Sequence, residues 1–245
     1  MNFETFQGIN AGLGGVFNAT TFISLVAFQG IMPVAVGERA AFYRERASQT
    51  YNSLWFSLSI IVVEIPYVLF TSLVFCAIFF PMAGFTGGST FVLYWIYTFL
   101  HVLSQAYIGL FLSVALPSLE LAMIVGIIFN TLFFLFMGYI PPAASIPKGY
   151  RWLHDAIPIK YSTSPIGSVL FGGDCNDGSS SLGCRQVANL PPIFPANSTI
   201  QEYMDLAFAM KLDERTLSVG VVCVYIGGFA LLIVLALRFL NHQKR

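Results

Sequence analysis

The chain has 245 residues, of which 56% are hydrophobic and only 10% charged, with a formal net charge of zero. Soluble domains carry about a quarter charged residues, so this composition excludes an ordinary soluble domain. The balanced charge excludes an electrostatic footprint for nucleic acid.

Residues 1–10 carry Glu4 and no basic residue, so the charged start of a secretory signal is missing. Asp, Glu, Lys and Arg are absent from Thr5 to Gly37, Ala47 to Val63, Ile65 to Leu119, Leu121 to Pro147 and Thr216 to Leu237. A membrane span needs roughly 20 apolar residues. The expected fold is therefore an all-α integral membrane bundle of about five spans, at 9–36, 54–80, 90–116, 121–140 and 217–237. A loop at 37–53 and a larger one at 141–216 separate the spans.

The first span is rich in small residues, with Gly8 and Gly12 forming a GxxxG pair beside Ala11, Gly14, Gly15 and Ala19. Close helix packing is the ordinary use of such a stripe. Asn18-Ala19-Thr20 fits the glycosylation pattern but lies inside the span.

Residues 38–46 read ERAAFYRER, five charges in nine residues. Glu-Arg recurs at 38–39 and 45–46, and seven residues are nearly two helical turns. Topology alone would need only arginines. Matching glutamates with Phe42 and Tyr43 point to a short helix docked on protein, with a solvated charge run as the alternative.

Glu64, followed by Pro66, is the one carboxylate well inside a span. Ionisable residues there face a cavity or partner, and the proline frees a backbone carbonyl. A hinge or polar contact and a neutral, packed glutamic acid are both open. Cys76 and Cys223 fall inside spans and suit packing roles. The fourth span places Asn130 and Thr131 among aromatics, which fits either a pocket for large apolar compounds or ordinary helix-to-helix hydrogen bonds.

Residues 141–172 carry several prolines and alternate apolar with polar, as short helices dipping back into the membrane face would, provided that they pack on protein. Trp152 and Tyr150 suit an interface. Cys175 and Cys184, in a Gly/Ser/Asp-rich stretch, would pair in an oxidising exterior. Asn197-Ser198-Thr199 is a sequon usable on that same side. Arg39, Arg44 and Arg46 follow the first span and Arg238, Lys244 and Arg245 the last. The basic-flank rule then puts the C-terminus in the cytoplasm and 141–216 outside. Met1 also falls outside, an arrangement that reads as the tail of a longer protein.

No GxxxxGK[ST] phosphate loop occurs, so ATP binding through one is not expected of this chain. His101, His154 and His242 are scattered without metal-ligand spacing, and no catalytic constellation is present. A secondary transporter would need coupling carboxylates near the midplane, where only Glu64 qualifies.

The segments GERAAFYRERASQTY, VEIPY, GYIPPAASIPKGYRWLHDAIPIKYS and LRFLNHQKR, in this order along the chain, closely resemble the membrane domain of G-subfamily ABC transporters, of the pleiotropic-drug-resistance type. The resemblance implies an exporter of amphiphilic or xenobiotic small molecules working by alternating access. ATP and Mg would act through a nucleotide-binding domain not present here, and a second membrane half-domain would complete the unit in, most simply, the plasma membrane. The first span here would be the family's second. Glu38, Arg39, Tyr43, Arg44, Glu45 and Arg46 match the coupling motif at the nucleotide-binding domain. The family's cavity maps to Phe22, Val26 and Gln29 with Ile127, Asn130, Thr131 and Phe134, and its outer constriction to Gly138, Tyr139 and Ile140. The rival expectation is a truncated, non-transporting scaffold or remnant lacking its ATPase.

Overall fold

The computed structural model describes residues 3–173, 182–195 and 197–241. Five helices are long and apolar enough to cross a membrane: α1 (Phe6–Ala47), α2 (Ser53–Met82), α3 (Gly88–Ala115), α4 (Leu119–Phe136) and α8 (Arg215–Phe239). Three shorter ones, α5 (Arg151–Ala156), α6 (Pro158–Phe171) and α7 (Ile200–Phe208), fill the segment between α4 and α8. Among the described residues the only extended pairing is two isolated bridges, Thr5 with Ala188 and Gln186 with Thr199. The all-helical expectation holds.

α1 starts at Thr5, whose hydroxyl accepts from the Gly8 N–H at 3.1 Å, the usual way to satisfy a first-turn amide. Its 42 residues make it roughly 63 Å long at 1.5 Å per residue, twice a hydrocarbon core of about 30 Å. The expected loop at 37–53 is therefore corrected in its extent: the short helix expected within it is the end of α1 itself. The helix runs unbroken through the charged motif, and the chain reverses only over Ser48–Asn52, with Gln49 at φ 54°. Ala40, Ala41 and Ala47 favour helix, and the apolar residues among the charges give that last stretch a face to bury.

α3 is the central helix, packed against α1, α2, α6 and α8, and residues 101–110 are all buried. Its approach to α1 depends on Gly109, where an added Cβ would lie 2.6 Å from the Phe28 carbonyl oxygen. The Phe28 ring also fills the space left by Gly126 of α4. Gly109 and Gly126 are thus positions at which helices of this bundle approach closely. Gly12 instead leaves room for the rings of Phe3 and Phe171.

The 141–172 segment forms two single 3-10 turns, then α5 and α6. α6 is buried along most of its length between α3 and α8, while Tyr150 and Trp152 are exposed. The fourth span ends at Phe136, four residues before the expected Ile140. Gly138 at φ 94° takes a conformation that only glycine adopts freely, and the helix cannot continue through it.

Candidate functional site

Residues 39, 42, 43 and 46 are spaced i, i+3, i+4, i+7, one stripe of a helix, and this stripe is the inward face of the α1 end. Phe42 is fully buried and Arg39 is only 6% exposed. The Arg39 guanidinium donates to three carbonyls, those of Ser113, Leu116 and Pro117. These belong to the end of α3, where a helix leaves its last acceptors without partners. Arg46 does the same at the end of α8, donating to the Leu237 and Arg238 carbonyls at 2.8 and 2.9 Å. A planar fork reaches several carbonyls at once, which a lysine ammonium does less well.

Between the two arginines, the Phe42 ring stacks on Phe56 of α2 with centroids 4.4 Å apart. Tyr51, in the turn to α2, donates to the Glu45 carboxylate. Burial, then that bond and the charge of Glu45, push the Tyr51 phenol up to about 12. Glu38, Arg44 and Glu45 face outward and are exposed. Of the six residues expected to contact a partner, the structure turns Arg39, Tyr43 and Arg46 inward and leaves Glu38, Arg44 and Glu45 outward. The docking expected of the motif is in large part docking on its own chain.

The residues expected to line a cavity flank the α1–α4 seam, where Phe28 and Met32 meet Ala122 and Gly126. Phe22, Gln29, Ile127 and Thr131 are exposed, and Asn130 and Phe134 half-buried. α1 and α4 run antiparallel, and 100° per residue puts both sets on the same side of the seam. Their polar groups are locally satisfied: Asn130 Nδ2 donates to the Gly126 carbonyl and the Thr131 hydroxyl to that of Ile127. Val26 departs from the set. It lines a groove of about 680 Å³ between α1, α2 and α3, together with Glu64 and Pro66. Among the described residues no hydrogen bond or ion pair reaches the Glu64 carboxyl, although the residue is only 9% exposed.

At the opposite end of α1, Tyr139 stacks on Phe17, centroids 4.7 Å apart, and on Phe208. Its hydroxyl donates to the Asn10 carbonyl at 3.2 Å and lies where a Cβ on Gly14 would come within 2.5 Å. Burial raises its pKa. Gly138 is buried and Ile140 exposed. Sequence reasoning missed Asn10, whose side-chain oxygen accepts from the Tyr203 hydroxyl at 2.9 Å, so one residue anchors two tyrosines. It also missed His154, whose Nδ1–H donates to the Phe136 carbonyl at 2.7 Å, holding the end of α4. Burial, opposed by that bond, keeps the ring below the usual histidine value. The neighbouring Asp155 is paired with Lys160. His101 is fully buried with Nδ1 2.6 Å from the Ser162 hydroxyl of α6. No residue-type pattern announces these links, because most partners are backbone carbonyls far along the chain.

Asn197 is exposed in a turn at φ 66°, and Thr199, the third residue of its sequon, is the N-cap of α7. Cys175, one of the pair expected to bridge, lies outside the described residues, as do Lys244 and Arg245 of the basic tail and His242.

The profile of the ABC-2 type transporter family matches residues 2–171. The G family member 44 ABC transporter of Oryza sativa subsp. japonica is 30% identical over 244 residues, covering 98% of this chain and 16% of that protein. The G family member 32 ABC transporter of Arabidopsis thaliana is 26% identical over 243 residues, 99% of this chain and 16% of the relative. The chain spans about a sixth of the length of the curated relatives that it matches. It belongs to the ABC-2 type transporter family and is an integral membrane protein homologous to G family ABC transporters.

Proposed function

We propose that this ABC-2 membrane domain is the translocating part of an ATP-driven exporter of the pleiotropic-drug-resistance type. It moves amphiphilic small molecules outward by alternating access. ATP and Mg act at nucleotide-binding domains outside this chain, and a second membrane half completes the route. The reading has the end of α1 in the cytoplasm and the 141–216 segment outside, in the plasma membrane. Cys175 pairs with Cys184 and Asn197 carries the glycan on that outer side.

The observation that carries the reading is the division of the α1 end into two faces. Its inward arginines grip the ends of α3 and α8, so a push on the outward Glu38, Arg44 and Glu45 would move three helices as one body. Charge-assisted hydrogen bonds from a nucleotide-binding domain suit those three exposed side chains. The load lies along the shared side of the α1–α4 seam and leaves past Tyr139. A ligand must bind the two conformations differently for ATP to do work on it, and Tyr139, wedged at Gly14 between two aromatic rings, offers a group whose contacts would differ on opening.

The test uses a complete transporter containing this domain, with Glu38→Ala and Arg44→Ala combined. ATP hydrolysis should persist at normal surface level while efflux of a fluorescent amphiphile falls at least roughly tenfold, the scale of losing one or two charge-assisted bonds. Full efflux at normal surface level would refute the coupling role.

A further inference from the structure

We propose that the groove between α1, α2 and α3 is a binding site for a single-chain amphiphile with a protonated amine head, which Glu64 receives. The groove has about 680 Å³, with Val26, Gly30 and Val34 on one wall and Val63, Tyr67 and Thr71 on the other. Those walls are almost wholly hydrocarbon. The Thr71 hydroxyl is spent on the Tyr67 and Val68 carbonyls of its own helix, so it asks for nothing from a ligand. Tyr107, the nearest buried phenol on α3, donates to the Ile61 carbonyl. Glu64 is left as the wall's one carboxyl group, nine-tenths buried and without a hydrogen-bond partner among the described residues.

Carboxyl groups at membrane depth are costly unless paired, and a cation is the partner that offsets the cost. The α1 wall runs from Ile23 to Val34, roughly 16 Å at 1.5 Å per residue, the length of a medium alkyl chain. Glu64 sits eleven residues into α2 from Ser53, toward the arginine-rich end. The head therefore enters from that leaflet and the tail runs along the groove toward Ile23 and Thr71. An anionic head is repelled by the same carboxylate, and a hydroxyl head gains a hydrogen bond without the ion pair. The site shares only Val26 with the residues proposed to line the export route. Binding there requires neither ATP nor a second half, so its failure and the failure of the export reading are separable.

The experiment measures equilibrium binding of tritiated dodecylamine to the purified chain in phosphatidylcholine nanodiscs, with unlabelled dodecylamine and dodecanol as competitors. Wild-type protein should show a saturable component that dodecylamine displaces and that dodecanol displaces roughly tenfold less well or worse. Glu64→Gln keeps the side-chain shape and should weaken dodecylamine binding by a similar factor. Gly30→Leu adds a side chain where a Cβ meets nothing within 4 Å, fills the groove and should remove the saturable component. Unchanged affinity in Glu64→Gln would overturn the assignment, as would the absence of any saturable component in wild type. Equal displacement by dodecanol would make the groove a site for alkyl chains in general and overturn the amine specificity.

Discussion

Along the first turns of α1, past the exposed Glu4–Arg185 ion pair, the contacts are aromatic and neutral: Tyr139 on Phe17, Phe6 on Tyr203, and two tyrosine hydroxyls converging on Asn10. At the Ala47 end they are cationic, with two guanidinium groups donating to five backbone carbonyls on α3 and α8 and the turn after α3. Ring stacks tolerate sliding and re-pairing at modest cost, about 0.5–1.5 kcal/mol each beyond burial. Forked bonds to helix termini fix one register. The arginine end is therefore the more rigid of the two, and the aromatic end the one that can re-pair.

The largest effect is expected at Arg39. Arg39→Ala leaves three carbonyls, that of Ser113 buried and those of Leu116 and Pro117 partly so, without their donor and should cost about 3 kcal/mol, read as a large fall in the melting temperature of the purified chain. At the aromatic end, Gly14→Ala forces a methyl against the Tyr139 hydroxyl and should cost about 2 kcal/mol. Adding Tyr139→Phe should recover part of that loss, and a double-mutant cycle measures how much. Arg46→Ala comes next, at about 1 kcal/mol, because its site is half exposed and water replaces the lost donor.

A smaller effect is expected from pH. Burial holds His154 below the ordinary histidine value in the folded state, so the folded chain resists its protonation more than the unfolded chain does. Its contribution is fully present above the unfolded value of about 6.5 and declines as pH falls from there toward the lower folded value. Melting at pH 7.5 and 5.5, in wild type and His154→Asn, should show the difference shrink in the mutant. The smallest change is reserved for Glu38→Ala and Arg44→Ala, which should stay within about 0.5 kcal/mol of wild type as exposed substitutions do.

The uncharged runs made the five spans legible, because a bilayer leaves hydrophobic length as the dominant signal. Boundaries were less so. The first helix passes its expected end at Val36 by eleven residues, since packing of Phe42 and Tyr43 joins the short helix expected of the charged motif to the span itself. The fourth stops early because Gly138 turns the chain. The motif's residues were legible as a group, but its two faces were not: the partners of Arg39 are backbone carbonyls 74 to 78 residues away, and a carbonyl has no residue-type signature. Val26 was grouped with Phe22 and Gln29 by the family resemblance, whereas the groove between α1 and α2 collects it together with Gly30 and Val34. Asn10 carries no signal in the sequence, and only the fold brings Tyr139 and Tyr203 to it.

The most direct test of the two-faced motif is amide hydrogen exchange over residues 110–116 at the end of α3, compared between Arg39→Ala and Arg44→Ala. These two arginines lie five positions apart on the same helix. Exchange there should quicken markedly in Arg39→Ala and match wild type in Arg44→Ala. Equal protection in both variants, or equal loss in both, would contradict the division of the motif into an inward clamp and an outward contact surface.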